Sequence, residues 1–204
     1  MLKSTTDIAF TPTVKAIQAR LGSRASYAKL EQRGGWQDRI TPELTAFIAE
    51  RDSVYLATAN AAGQPYIQHR GGPKGFLRVL DERTLGLADY RGNRQYITAG
   101  NLSENDRAFL LLMDYEHRQR IKIWGRASAV EDDAGLQSRL MPPGYKATVE
   151  RVILFRIEAW DVNCPRHIPL MIPAAEVARR AEHYEARIAQ IEAALAQLQR
   201  DGHR

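Results

Sequence analysis

"RQRIKIWGRASAVE", residues 118–131, alternates along its length. Ile121, Ile123 and Gly125 fall to one side, and Lys122, Trp124 and Arg126 to the other. A period of two marks a β-strand with one face turned to a core. Working outward, "AFLLLMDY" (108–115) is a continuous apolar run, which predicts a strand buried on both faces. "VERVILFRIEAWDVN" (149–163) reads as the last long strand. Upstream, "SVYLATAN" (53–60) and "PYIQHR" form a hairpin across "AAGQP". "FLRVLD" and "TLGLADY" form a second across "DERT", and a helix follows from Gln95. Six or seven mostly antiparallel strands with short turns predict a barrel with helices at its ends.

Helices account for the remainder. Residues 13–33 read as two short helices, "TVKAIQARLG" and "SRASYAKLEQR", the second capped by Ser26 or Ser23. Thr41 and Pro42 open another as N-cap and first helical residue, with Glu43 near its positive end, and that helix ends near Arg51. From 173 to 200, Val177, Ala181, Tyr184, Ile188, Ile191, Leu195 and Leu198 are spaced four and three apart in turn. That narrow stripe is the a/d seam of a helix that pairs with another helix. The organisation expected is a helical arm over 1–40, a central domain over 41–172 and a C-terminal helix over 173–204.

Composition sets limits. The chain has 204 residues, 44% hydrophobic and 26% charged, the profile of a soluble globular protein. The apolar runs are too short to span a bilayer, and the N-terminus lacks the apolar core of a signal peptide. With one cysteine, Cys164, a cytoplasmic location and no membrane association are expected. Residues 1–36 carry six cations and two acids, a net of +4, with Tyr27 and Trp36 as the available stacking groups. No nucleic-acid-reading motif accompanies them, so nucleic acid is not the expected partner, and a basic nucleic-acid-associated protein using this arm stands as an alternative reading. The histidines at 69, 117, 167, 183 and 203 are scattered, and no metal site is expected. Dinucleotide, P-loop, zinc-helix and nucleophile-elbow motifs are all missing from the sequence.

Two basic clusters carry the chemistry. "QHRGGPKGF" (68–76) sets Arg70 and Lys74 among glycines. "LADYRGNRQY" (87–96) puts Arg91, Asn93 and Arg94 at the start of a helix, where free amides and the helix dipole favour phosphate. Two clusters from adjacent hairpins can converge on one phosphate.

The order of these segments, together with "NDR" before the apolar strand and "RQRIKIWGRA" after it, resembles the FMN-binding split β-barrel family of pyridoxamine 5′-phosphate oxidase. "DVNCPRHI" (161–168) is similar to the ending of an oxidase-related subgroup. The resemblance covers roughly residues 40–170. It implies a mainly β, α+β fold, an antiparallel split β-barrel with N-terminal helices and a long C-terminal helix. It further implies a homodimer with FMN at the subunit interface and redox chemistry on a small molecule. Carriers or sensors of flavin, haem or deazaflavin share the fold. On matching positions it implies that Arg70, Lys74, Asn93 and Arg94 hold the cofactor's phosphate end, with Tyr90 a further cofactor-binding residue. Glycines beside Arg70 would let backbone approach the cofactor. Gln119, with Arg118, would meet the flavin ring, and Trp160, Asn163, Arg166 and His167 would come from the partner subunit. The oxidase's Y-x-x-x-R-x-x-x-S pattern is missing from "LMPPGYKATVERV", so oxidation of pyridoxamine phosphate is not expected.

Overall fold

The computed structural model describes residues 4–201. It divides into two units, one of residues through Asp114 with Gln119–Pro165, the other of Tyr115–Arg118 with the segment from Arg166 on. The N-terminal segment therefore belongs to the same unit as the sheet. Among the described residues, no helix is long and apolar enough to cross a membrane.

In the first unit, seven strands form one antiparallel sheet: β1 (Ser53–Ala59), β2 (Pro65–Gly71), β3 (Arg78–Val79), β4 (Thr84–Tyr90), β5 (Arg107–Asp114), β6 (Gln119–Val130) and β7 (Val149–Val162). Their order is β2-β1-β5-β6-β7-β4-β3. Ile121 and Ile123 of β6 face inward, as their alternation dictates, and share one core with Leu56, Leu87, Leu110, Phe155 and Ile157. That core draws residues from β1 near one edge and β4 near the other, so the sheet wraps around it as a split barrel.

β5 departs from the expectation of a strand buried on both faces. Ala108, Leu110 and Leu112 are buried, whereas Phe109, Leu111 and Met113 are only half-buried. Among the described residues, its outward apolar face is only partly covered. A second cluster lies outside the barrel, where helix α5 (Ala134–Leu140) lays Leu140 against Ala88 and Val152. The sequence reading had no helix there. Asp133 caps it, accepting a hydrogen bond from the Leu136 amide at 2.8 Å.

The N-terminal segment contributes α1 (Pro12–Arg20) and α2 (Arg24–Gln32), and α3 (Pro42–Ala49) opens on Thr41 with its side chain accepting from the Leu44 amide. Ser23 rather than Ser26 stands at the N-cap of α2, and its side chain makes no capping hydrogen bond. Trp36 stacks on Trp124 of β6, with ring centroids 4.6 Å apart and planes 8° off parallel. Phe10 meets both Trp36 and Tyr27 edge-on. Tyr27 and Trp36 are thus both in ring contacts within the protein.

A half-buried network ties these helices together. Glu31 is bound by Arg24 and by Lys15, the latter at 3.1 Å. Burial pulls the Glu31 carboxyl upward, but hydrogen bonds from Lys15 and Arg24 outweigh it and hold it below its ordinary value. A carboxyl depressed in the folded state stabilises fully above its unfolded pKa, and that contribution is lost as pH falls through the folded value. Wild-type stability should therefore drop on acidification below about pH 4.5 more steeply than that of Glu31→Gln. Parallel curves in thermal melts across that range would show that the network contributes no pH dependence.

Candidate functional site

The edge strand β2 and the end of β4 face each other across a cavity of about 320 Å³. Its walls come from alternate residues of β2 (Tyr66, Gln68, Arg70), the end of β4 (Asp89, Tyr90), Glu150 of β7, and the loop 92–96 leading into helix α4 (Ile97–Glu104). Tyr66, Gln68 and Arg70 line one wall because every second side chain of a strand shares a face.

Arg70 spans the gap. Its guanidinium pairs with Asp89 of β4 and donates to the Thr98 hydroxyl on the first turn of α4 at 3.1 Å. Both partners of the ion pair are mostly buried. Burial pushes the Asp89 carboxyl above its ordinary value, in spite of the opposing pull of Arg70 and Arg151. Arg151 also reaches Glu131 at 2.9 Å and Glu150 at 3.6 Å, and Arg91 reaches Glu150 at 3.4 Å. Arg70, Arg91, Arg94 and Arg151 thus face Asp89, Glu131 and Glu150, which leaves one cation over. Arg94 is that cation: it is exposed on the cavity wall, its Nε donating to the Tyr96 hydroxyl at 2.8 Å.

Several donors here point at no partner. The Tyr90 hydroxyl and Arg70 Nε are buried without a hydrogen-bond partner. Helix α4 starts at Tyr96 with no side-chain cap. Arg94 and Tyr96 both adopt left-handed backbone, at φ 62° and 57°. Strain of this kind in non-glycine residues clusters at ligand sites. A helix N-terminus, a spare arginine and a buried phenol are the donors that an anion with several acceptor oxygens would use. Burial also raises the Tyr90 phenol, keeping it a donor.

The cavity thus gathers Arg70, Tyr90, Asn93 and Arg94 from the residues singled out in sequence. Lys74 is not among them: its ammonium pairs with Glu50 at 2.8 Å on exposed surface. Gly72 beside it has a packing role. A Cβ on Gly72 would lie 2.7 Å from the Phe76 Cβ, so Gly72 admits buried Phe76. Gln119 opens β6 at an exposed position, and Arg118 sits in the turn before it in left-handed backbone. Trp160 is a core residue, 9% exposed, its indole N–H donating to the Arg39 carbonyl at 2.8 Å. Within this chain it presents no ring to a ligand. The Asn163 amide donates to the Arg120 carbonyl. Arg166 and His167 are exposed in the second unit, His167 at φ 65°. Sequence reading passed over Asp89, Thr98, Tyr66, Gln68 and Glu150. Alternation along β2 would have found two of them, since Arg70 fixes which face is shared.

Residues 40–168 match the family model of pyridoxamine 5′-phosphate oxidase. No curated protein matches the chain. Among solved structures, a single-residue variant of HupZ from Group A Streptococcus is similar with TM-score 0.50 and 19% identity, over 61% of this chain and 99% of that one. HupZ from the same organism gives 0.50 and 20%, over 60% and 93%. An FMN-binding protein from Syntrophomonas wolfei subsp. wolfei gives 0.47 and 13%, over 72% and 97%. At these identities the likenesses concern the fold alone.

Proposed function

Because the chain belongs to the pyridoxamine 5′-phosphate oxidase family, we propose that it binds FMN non-covalently, with the phosphate in the cavity between β2, β4 and α4, and acts as an oxidoreductase on a small molecule. The observation that carries this reading is the set of unpartnered donors, the Tyr90 hydroxyl, Arg70 Nε and the uncapped start of α4, around one cavity. Arg94 and Asn93 complete the phosphate end. When bound, the flavin would supply hydride and electron transfer that no side chain here could perform. The protein's part is to hold the phosphate, keep the loop 92–96 in its strained form and exclude water from the buried ion pairs. The half-buried apolar residues Phe109, Leu111 and Met113 of β5, beside Tyr55 and Ala57 of β1, support pairing of two copies through this face.

The visible spectrum of the purified protein and the mass of the ligand released by heat test the cofactor. FMN is expected; haem or a deazaflavin would overturn the assignment while leaving the fold intact. Tyr90→Phe tests the phosphate site. Leaving a buried hydroxyl unbonded costs about 1–3 kcal/mol, so the ligand-free variant should be more stable than wild type. A hydrogen bond to a charged group contributes about 1.5–3 kcal/mol, so FMN should bind the variant roughly 10- to 150-fold more weakly. Riboflavin, without the phosphate, should bind both forms alike. Unchanged FMN affinity would remove Tyr90 from the site.

A further inference from the structure

Helix α6 (Ala174–Asp201) has 28 residues, and none of those described is buried. Its a/d seam is open: Tyr184 is 64% exposed, Ile188 54%, Ile191 55%, Leu195 54% and Leu198 69%. A stripe of large apolar side chains at strict four-three spacing has a cost in water that a partner helix removes. The flanking charges say which partner. With Ala181, Ile188 and Leu195 at a and Val177, Tyr184, Ile191 and Leu198 at d, Arg180 and Arg187 occupy g, and Glu185 and Glu192 occupy e.

From this pattern we propose that α6 pairs in parallel and in register with α6 of a second copy of this chain. In a parallel pair each g residue faces the e residue five places further along the other helix. Arg180 then meets Glu185 of the other copy and Arg187 meets Glu192, twice over by symmetry. An antiparallel pair sets e against e, bringing Glu185 and Glu192 together, and like charges there oppose the pairing. Arg180 already holds Glu176 at 2.7 Å within its own helix, a bond it keeps or shares on pairing. A parallel pair has a two-fold axis along its length, so it closes a dimer without leaving a sticky end. Three heptads make a short coil, and a second contact between the same two chains would raise their effective concentration. The inference does not rest on FMN.

Cysteine cross-linking of the full-length protein tests it. In a Cys164→Ser background, Tyr184→Cys and Leu198→Cys are introduced one at a time and exposed to mild oxidation. A parallel in-register pair brings each d position against itself, so both variants should run mainly as disulfide-linked dimers. Adding Ile191→Asp places a charge in the seam; it should abolish both cross-links and weaken self-association by at least about 100-fold in sedimentation. Absence of cross-linking at both positions, whether the helices pair antiparallel or α6 packs on its own chain, overturns the proposal. So does cross-linking that survives Ile191→Asp. The FMN spectrum of these variants should match wild type, which separates this result from failure of the cofactor reading.

Discussion

Arg70→Ala should lower stability by about 3–5 kcal/mol and reduce FMN binding by more than about 150-fold. The guanidinium bridges β2 to both Asp89 of β4 and Thr98 of α4. Its removal strips a mostly buried carboxylate of its nearest cation, leaving Arg151 at 3.6 Å. Breaking a buried pair from one side costs far more than the pair contributes, because the remaining charge stays desolvated. The loss in affinity should exceed the ~10- to 150-fold expected for one charged hydrogen bond, since the unpaired Asp89 would also repel a phosphate. The double variant Arg70→Ala/Asp89→Ala separates the two effects. Without either charge, most of the stability should return while FMN binding stays weak. Urea unfolding and quenching of FMN fluorescence read both quantities. If the double variant binds FMN like wild type, Arg70 serves the barrel and not the ligand.

Gly125→Ala should be comparably damaging without touching the cavity. Gly125 lies where the pairing of β6 with β7 shifts register. A Cβ there would stand 2.1 Å from the Arg156 carbonyl oxygen and 2.6 Å from the Phe155 ring. A carbonyl within a sheet cannot rotate away, so the two longest strands must separate locally. We expect a loss of about 3 kcal/mol or more, with much of the protein insoluble. Gly100→Ala supplies the contrast: it sits in α4 with open space around it, and alanine there should add about 0.5–1 kcal/mol. Equal melting temperatures for the two variants would show that the close approach at Gly125 relaxes freely.

Legibility in the sequence followed the range of the interaction. Alternation in 118–131 located β6 and its inward face, because a strand's periodicity is a local property. Thr41-Pro42 marked the start of α3 for the same reason. The anchoring of Trp160 was not legible, because its indole N–H donates to the Arg39 carbonyl, 121 residues away. The cations of the site were visible as Arg70 and Arg94, but the acid that holds Arg70 was not. Asp89 stood in plain view in "LADY", and only the folded sheet brings it to β2. Lys74 shows the reverse case: nearness in sequence to Arg70 did not bring it to the cavity, since the turn after β2 carries it to Glu50.

The bridge from Arg70 to Asp89 joins two strands that make no backbone hydrogen bonds to each other, in the order β2-β1-β5-β6-β7-β4-β3. One residue of that bridge is cationic and the other anionic, and losing either leaves the other short of its nearest countercharge in a mostly buried place. Over evolutionary time, selection therefore favours changing the two positions as a pair. In an alignment of this chain's homologues, positions 70 and 89 should covary, either both charged or both neutral. Lineages that lost the phosphate ligand would be recognised by the neutral pair, long before anything else in the barrel had changed.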